Sequence, residues 1–136
     1  MLFEFISKLA KDLELKEPLA QGEGAGEDSF TLLLDTTPIT IREAQNGFQF
    51  SALLGEPPQE QLELFYSKML RGNLFGQATN GSTLGIDEPS GQIILRYYAP
   101  QKASYRDFKE RLEDFINTCD FWHQEAKSHQ VNPLAA

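Results

Sequence analysis

Between Phe30 and Leu54 three short runs rich in β-branched and aromatic residues, Phe30–Asp35, Ile39–Ala44 and Phe48–Leu54, are separated only by turn residues. Connections of a few residues suit antiparallel neighbours, and Gln45-Asn46-Gly47 is the clearest hairpin signal, so this block predicts a three-stranded meander. Alternation then sorts the third run. Phe48, Phe50, Ala52 and Leu54 share one face while Gln49, Ser51 and Leu53 share the other, which assigns the first set inward, beside Ile39 and Ile41, with Phe50 buried.

Helical periodicity brackets the meander. Leu2, Phe5, Ile6, Leu9 and Leu13 recur at helical spacing opposite Lys8, Lys11, Asp12 and Glu14, predicting an amphipathic helix over about residues 2–14, its apolar side widened by Phe3 and Ala10. The acidic, Gly-rich run from Glu17 to Ser29 has no period and reads as a flexible connection. Glu23, Glu27 and Asp28 among its glycines oppose phosphate, which argues against a phosphate-binding loop. Pro57-Pro58 is expected to open a second helix, about Glu60 to Arg71, carrying Leu62, Phe65, Tyr66, Met69 and Leu70 with Leu64 beside the stripe, until Gly72-Asn73 stops it. After a loop to Ser82, Thr83–Asp87 and Gln92–Tyr98 form a hairpin about Glu88-Pro89-Ser90-Gly91. Ser104 is the expected N-cap of a last helix bearing Tyr105, Phe108, Leu112, Phe115, Ile116 and Cys119, with Phe121 and Trp122 near its end. The order αβββαββα describes an α+β domain: a five-stranded, mostly antiparallel twisted sheet packed with three helices, over residues 1–128, followed by a flexible tail at 129–136.

The chain offers little chemistry. Its 136 residues suit one domain, and 20 acidic against 12 basic residues give a net charge of −8, which repels nucleic-acid phosphates and anionic lipid headgroups. Cys119 is the single cysteine, so neither an intrachain disulfide nor a cysteine-based zinc site is open to it. The segment Met1-Leu2-Phe3-Glu4-Phe5-Ile6-Ser7-Lys8 lacks the basic, then apolar, pattern of a signal peptide, and no stretch approaches the ~18 apolar residues of a membrane span. A soluble, cytoplasmic protein is expected, so Asn80-Gly81-Ser82 reads as turn chemistry rather than a glycosylation sequon. Cys119 and His123 are four apart, but Cys119 lies on the apolar stripe, and with Asp120 and His129 the cluster has too few convergent ligands for a metal. On the last helix Asp107, Glu110, Glu113 and Asp114 alternate with Arg106, Lys109 and Arg111, the pattern of a solvated face. No catalytic residue, cofactor or metal is therefore expected. Three helices exceed what one sheet face needs, so apolar surface is left either for partners or for a thicker core; periodicity alone leaves both open.

One motif run is more specific. Met69-Leu70-Arg71-Gly72-Asn73-Leu74-Phe75-Gly76, then Thr83-Leu84-Gly85-Ile86-Asp87 and Ser90-Gly91-Gln92-Ile93-Ile94-Leu95, supported by Leu32-Leu33-Leu34-Asp35 and Leu112-Glu113-Asp114-Phe115-Ile116, resembles the small acidic type III secretion chaperones of the CesT/SycE-like group across about residues 2–122. That resemblance implies a bacterial cytoplasmic homodimer that binds the N-terminal segment of a secreted effector without ATP, keeps it partly unfolded and hands it to the secretion apparatus. Further partners it implies are the secretion ATPase or a regulatory protein. It assigns Leu2, Phe3, Phe5, Ile6 and Leu9 of the first helix, with Leu32 and Leu34, to the effector groove. It assigns Leu62, Leu64, Phe65, Tyr66, Met69, Leu84 and Ile86 to the dimer interface. The alternatives are a regulatory protein of the same fold that sequesters a transcription or secretion regulator, and a small enzyme, which would need a polar cleft with perturbed titratable groups.

Overall fold

The computed structural model describes residues 2–12, 20–21, 29–34, 37–44, 47–75, 81–100 and 104–131, with the side chains of residues 2–3, 10, 20–21, 34, 75, 100 and 128–131 outside that description. The turn residues Gln45 and Asn46 and most of the Gly-rich connection lie outside it too.

In chain order the elements are α1 (Leu2–Asp12), β1 (Ala20–Gln21), β2 (Ser29–Leu34), β3 (Thr37–Ala44), β4 (Gly47–Leu53), α2 (Leu62–Phe75), β5 (Thr83–Ile86), β6 (Ile93–Pro100) and α3 (Tyr105–Val131). The strands form one sheet in the order β1-β2-β3-β4-β6-β5, every pair antiparallel. The five expected strands are present. A sixth, β1, pairs Ala20 with Thr31 and Gln21 with Phe30 inside the segment expected to be a plain connection; two residues are too few to show alternation.

Register follows side-chain chemistry. Phe50 lies opposite Ile41 on one side and Tyr97 on the other, and Ala52 opposite Ile39 and Leu95. Phe48, Phe50, Ile39, Ile41, Ile93 and Leu95 are all inaccessible to solvent, as alternation requires of one buried face. All three helices cover this face: Ile6 and Leu9 from α1, Phe65 and Met69 from α2, and Phe108, Leu112, Phe115, Cys119 and Trp122 from α3 join the strand residues in one core. Aromatic rings make its centre. Phe108 meets Phe5, Phe48 and Phe50 at centroid distances of 5.2, 5.6 and 5.6 Å, and Phe65 meets Trp122 edge-on at 6.2 Å.

Element boundaries show where local signals yield to packing. The α2 helix starts at Leu62 rather than at Pro57-Pro58, because Gln61, at φ 55°, turns the chain and its carbonyl accepts the Phe65 N–H at 3.0 Å. The helix also runs through Gly72 to Phe75, since Gly72 is buried and Asn73 is tied to β5. Ser104 does cap α3, its hydroxyl accepting the Asp107 N–H at 3.2 Å. The α3 helix continues past Ser128 to Val131. Between β5 and β6 the Asp87 carboxylate accepts the Ser90 hydroxyl at 2.7 Å while its carbonyl takes the Gly91 N–H, also at 2.7 Å, and Gly91 adopts the φ of 72° that the turn requires.

Candidate partner-binding surfaces

The apolar stripe of α1 is spent largely on the chain's own core. Ile6, Leu9 and Leu32 are 2%, 1% and 1% exposed, so these three expected groove residues hold α1 onto the sheet and leave no surface for an effector. A sheet and a partner ask for the same side chains, which is why periodicity could not separate them. Phe5 is half-buried among Phe48, Tyr105 and Phe108. The side chains of Leu2, Phe3 and Leu34 lie outside the described residues. A polar clasp fastens the end of α1 to the start of α3: the Tyr105 hydroxyl donates to Asp12 at 2.6 Å, Lys109 lies 3.7 Å from the same carboxylate, and Lys8 sits 5.3 Å above the Tyr105 ring. Desolvation, then the bond and charge of Asp12, push the Tyr105 hydroxyl up to about 12.

The residues expected at a dimer interface divide in the same way. Phe65, Met69 and Leu84 are at most 5% exposed and belong to the core. Leu62 and Tyr66 are half-buried, whereas Leu64 and Ile86 are 55% and 38% exposed. Two residues left out of that expectation are the most exposed apolar side chains of α2, Leu70 at 68% and Leu74 at 72%. The signal was present: one residue on from Met69 is about 100° round the helix, so Leu70 and its i+4 partner Leu74 turn away from the core beside Tyr66. Next to them Asn73 acts as a substitute strand. Its amide donates to the Leu84 carbonyl at 2.9 Å and accepts the Leu84 N–H at 2.7 Å, occupying both outward-facing groups of that residue on the edge of β5. On the other side of α2, Lys68 pairs with Glu125 of α3.

The second face of the sheet carries no helix among the described residues, and Leu33, Leu53 and Tyr98 there are 67%, 41% and 51% exposed. A cavity of about 280 Å³ on this face is lined by Pro38, Thr40, Ser51, Leu53, Asp87 and Ile94.

Burial and the Asp120 charge push the Cys119 thiol up to about 12, which opposes a thiolate, and no cluster of three His, Cys, Asp or Glu among the described residues is placed to hold a metal. No helix among them is long and apolar enough to cross a membrane.

Comparison with known proteins agrees with this architecture. A protein of Chlamydia pneumoniae, CPj0713/CpB0740, is 35% identical over 82 residues, which is 60% of this chain and 62% of that relative. Among solved structures, the HopA1–SchA chaperone–effector complex matches with a TM-score of 0.66 at 22% identity, over 88% of this chain and 94% of that one. The heterodimeric ExoU–SpcU complex from the type III secretion system of Pseudomonas aeruginosa matches at 0.61 and 16% identity, over 88% and 92%. YbjN from E. coli shares the fold at 0.64 and 17%, over 94% and 93%. The model of the Tir chaperone protein family, CesT, spans residues 4–123. With nearly the whole domain inside that span, the chain belongs to the CesT family of Tir-type chaperones.

Proposed function

We propose that this protein is a type III secretion chaperone that works as a homodimer, binds the N-terminal segment of a secreted effector without ATP, keeps it partly unfolded and soluble, and directs it to the secretion apparatus. The observation that carries the reading is exposed leucine on an acidic chain of the chaperone family: Leu64, Leu70 and Leu74 of α2 are more than half exposed on a chain of net charge −8. Apolar side chains of this size are surfaces for another chain, and net charge keeps their carrier from precipitating.

In this reading α2 meets its symmetry mate through Leu62, Leu64, Tyr66, Leu70 and Leu74, with Ile86 alongside. Phe65, Met69 and Leu84 support the contact from behind. An obligate interface of this kind buries at least roughly 800 Å² per subunit. The effector segment lies on the outer part of α1 and the end of β2, through Leu2, Phe3 and Leu34 with the exposed edge of Phe5. Its ordering on binding costs conformational entropy, which the burial of apolar side chains offsets.

Phe3→Asp is the test. It should weaken binding of the N-terminal segment of a co-purifying effector more than tenfold, about 1.4 kcal/mol, with the dimer mass unchanged by light scattering. Phe5 is a poorer probe, because its contacts with Phe48 and Phe108 make it part of the fold. Parental affinity in the Phe3 variant, measured by calorimetry, would overturn the assignment of α1. A monomer mass at tens of micromolar protein would overturn the dimer.

A further inference from the structure

The helix-free face of the sheet is ordered by rows. Leu33 lies opposite Pro38, and Leu53 opposite Ile94; since Ile39 faces Ala52, Pro38 and Leu53 are neighbours one step further along. These four side chains make an apolar band across four strands, about 14 Å long at a strand spacing near 4.8 Å. The adjoining row is one of hydroxyls, Thr31, Thr40, Ser51 and Thr83, with Arg96 set among them. The row beyond holds Arg42 and Tyr98 on either side of Gln49.

Charge on this face runs against that of the chain. With a net charge of −8 overall, its strands still present Arg42 and Arg96 and no acid, both arginines lie on the same side of the apolar band, and among the described residues neither has a carboxylate partner. One carboxylate, Asp87, lines the cavity at the β5 end of the band, where it accepts the Ser90 hydroxyl and N–H; it follows β5 and lies outside the strand rows that hold the two arginines.

We infer that this face docks an amphipathic α-helix of a partner protein, laid across the strands, its apolar stripe on the Leu33–Ile94 band and a row of carboxylates along one flank at Arg96 and Arg42. The occupant is helical because backbone groups within the sheet are engaged in the ladder. An extended segment lying flat on the face would bury its own N–H and C=O groups unpaired, whereas a helix satisfies them internally. The band is about as long as three helical turns. A second copy of this chain fits the charges poorly, since it would bring two more arginines and no acid to the contact.

The test uses the full chain and a fluorescent synthetic helix of about four turns with leucines at i, i+3, i+4 and i+7. One version carries glutamates along one flank and the other lysines. Anisotropy should show the glutamate helix binding at least tenfold tighter than the lysine helix. Leu53→Asp should weaken the glutamate helix at least tenfold, and Arg96→Glu should reverse the preference. Leu53 and Arg96 are exposed, so both variants should melt with the parent; Leu33→Ser provides a second, milder lesion of the same band. Equal affinity for the two helices would overturn the inference. So would binding indifferent to Leu53→Asp and Leu33→Ser, or binding lost in Phe3→Asp instead, which would place the helix on α1. A halved mass for Leu53→Asp by light scattering would assign the face to a second copy and overturn it as well.

Discussion

Replacing Phe50 by alanine tests the core assignment where most of it converges. Its side chain is inaccessible to solvent, and the rings of Phe108, Phe115 and Tyr97 stand 5.6, 5.6 and 5.8 Å from its own. Flanked in register by Ile41 and Tyr97 on the middle strand of the sheet, these neighbours cannot collapse into the space left behind without disturbing two strand pairings and α3. The expected loss is therefore at the usual level for a buried phenylalanine, about 3–5 kcal/mol, against a total stability of about 5–15 kcal/mol. At about 3–4 °C per kcal/mol for a domain of this length, the melting temperature should fall by about 9–20 °C. Thermal and urea unfolding followed by circular dichroism would read it, with an unchanged urea slope showing that the unfolded state is the same. Ser51→Ala, one residue along and on the opposite face, should stay within about 0.5 kcal/mol of the parent. A Phe50→Ala protein that melted within about two degrees of the parent would refute the facing of β4, and a Ser51→Ala loss of similar size to that of Phe50→Ala would invert it.

Three further outcomes follow from the same packing. Gly47→Ala should destabilise by about 1–3 kcal/mol in urea titration, because an added Cβ would collide with the Ala99 carbonyl oxygen and stand 2.8 Å from the Tyr98 ring. Asn73→Ala should cost about 1–3 kcal/mol and speed amide exchange at Leu84, whose N–H and C=O both lose their partner; exchange protected as in the parent would show that β5 holds its edge by other means. Cys119 should resist a thiol reagent until the chain unfolds. Its thiol ionises near 9.0 when exposed but only near 12 in the fold, so the unfolded state loses its proton first and stability should fall as pH rises above about 9, less steeply in Cys119→Ala.

Alternation made β3, β4 and β6 legible, since a period of two admits one facing and a one-residue slip would expose Phe48, Phe50 and Ala52 together. Gly47 was legible as a turn residue, but the reason it must be glycine is tertiary: the Tyr98 ring crosses it, and nothing local announces that. The stop at Gly72-Asn73 was misread for a related cause. Gly72 is buried inside the helix rather than ending it, and Asn73 reaches a strand eleven residues on. Ile6, Leu9 and Leu32 were indistinguishable from partner-facing residues because burial against a sheet and burial against a client call for the same aliphatic side chains. Leu70 reads as part of the same stripe as Met69, and both Leu70 and Leu74 lie in the family motif; only the 100° step between successive helix residues separates these exposed leucines from the buried Met69 and Phe65.

The β5 edge of the sheet constrains how a second chain can approach. At the β5 edge the amide of Asn73 already satisfies both free groups of Leu84, so a foreign strand would have to displace two hydrogen bonds to pair there. The adjacent surface is the flank of α2, with Tyr66, Leu70 and Leu74, whose backbone is satisfied within its own helix. Contact at this end of the molecule is thereby directed to side chains on a helix face and away from open strand addition, which can propagate from copy to copy. A symmetric helix-face contact closes on itself after two copies. Asn73 thus opposes the open-ended mode of association at Leu84, while Leu70 and Leu74 beside it stay exposed for the helix-face contact proposed above.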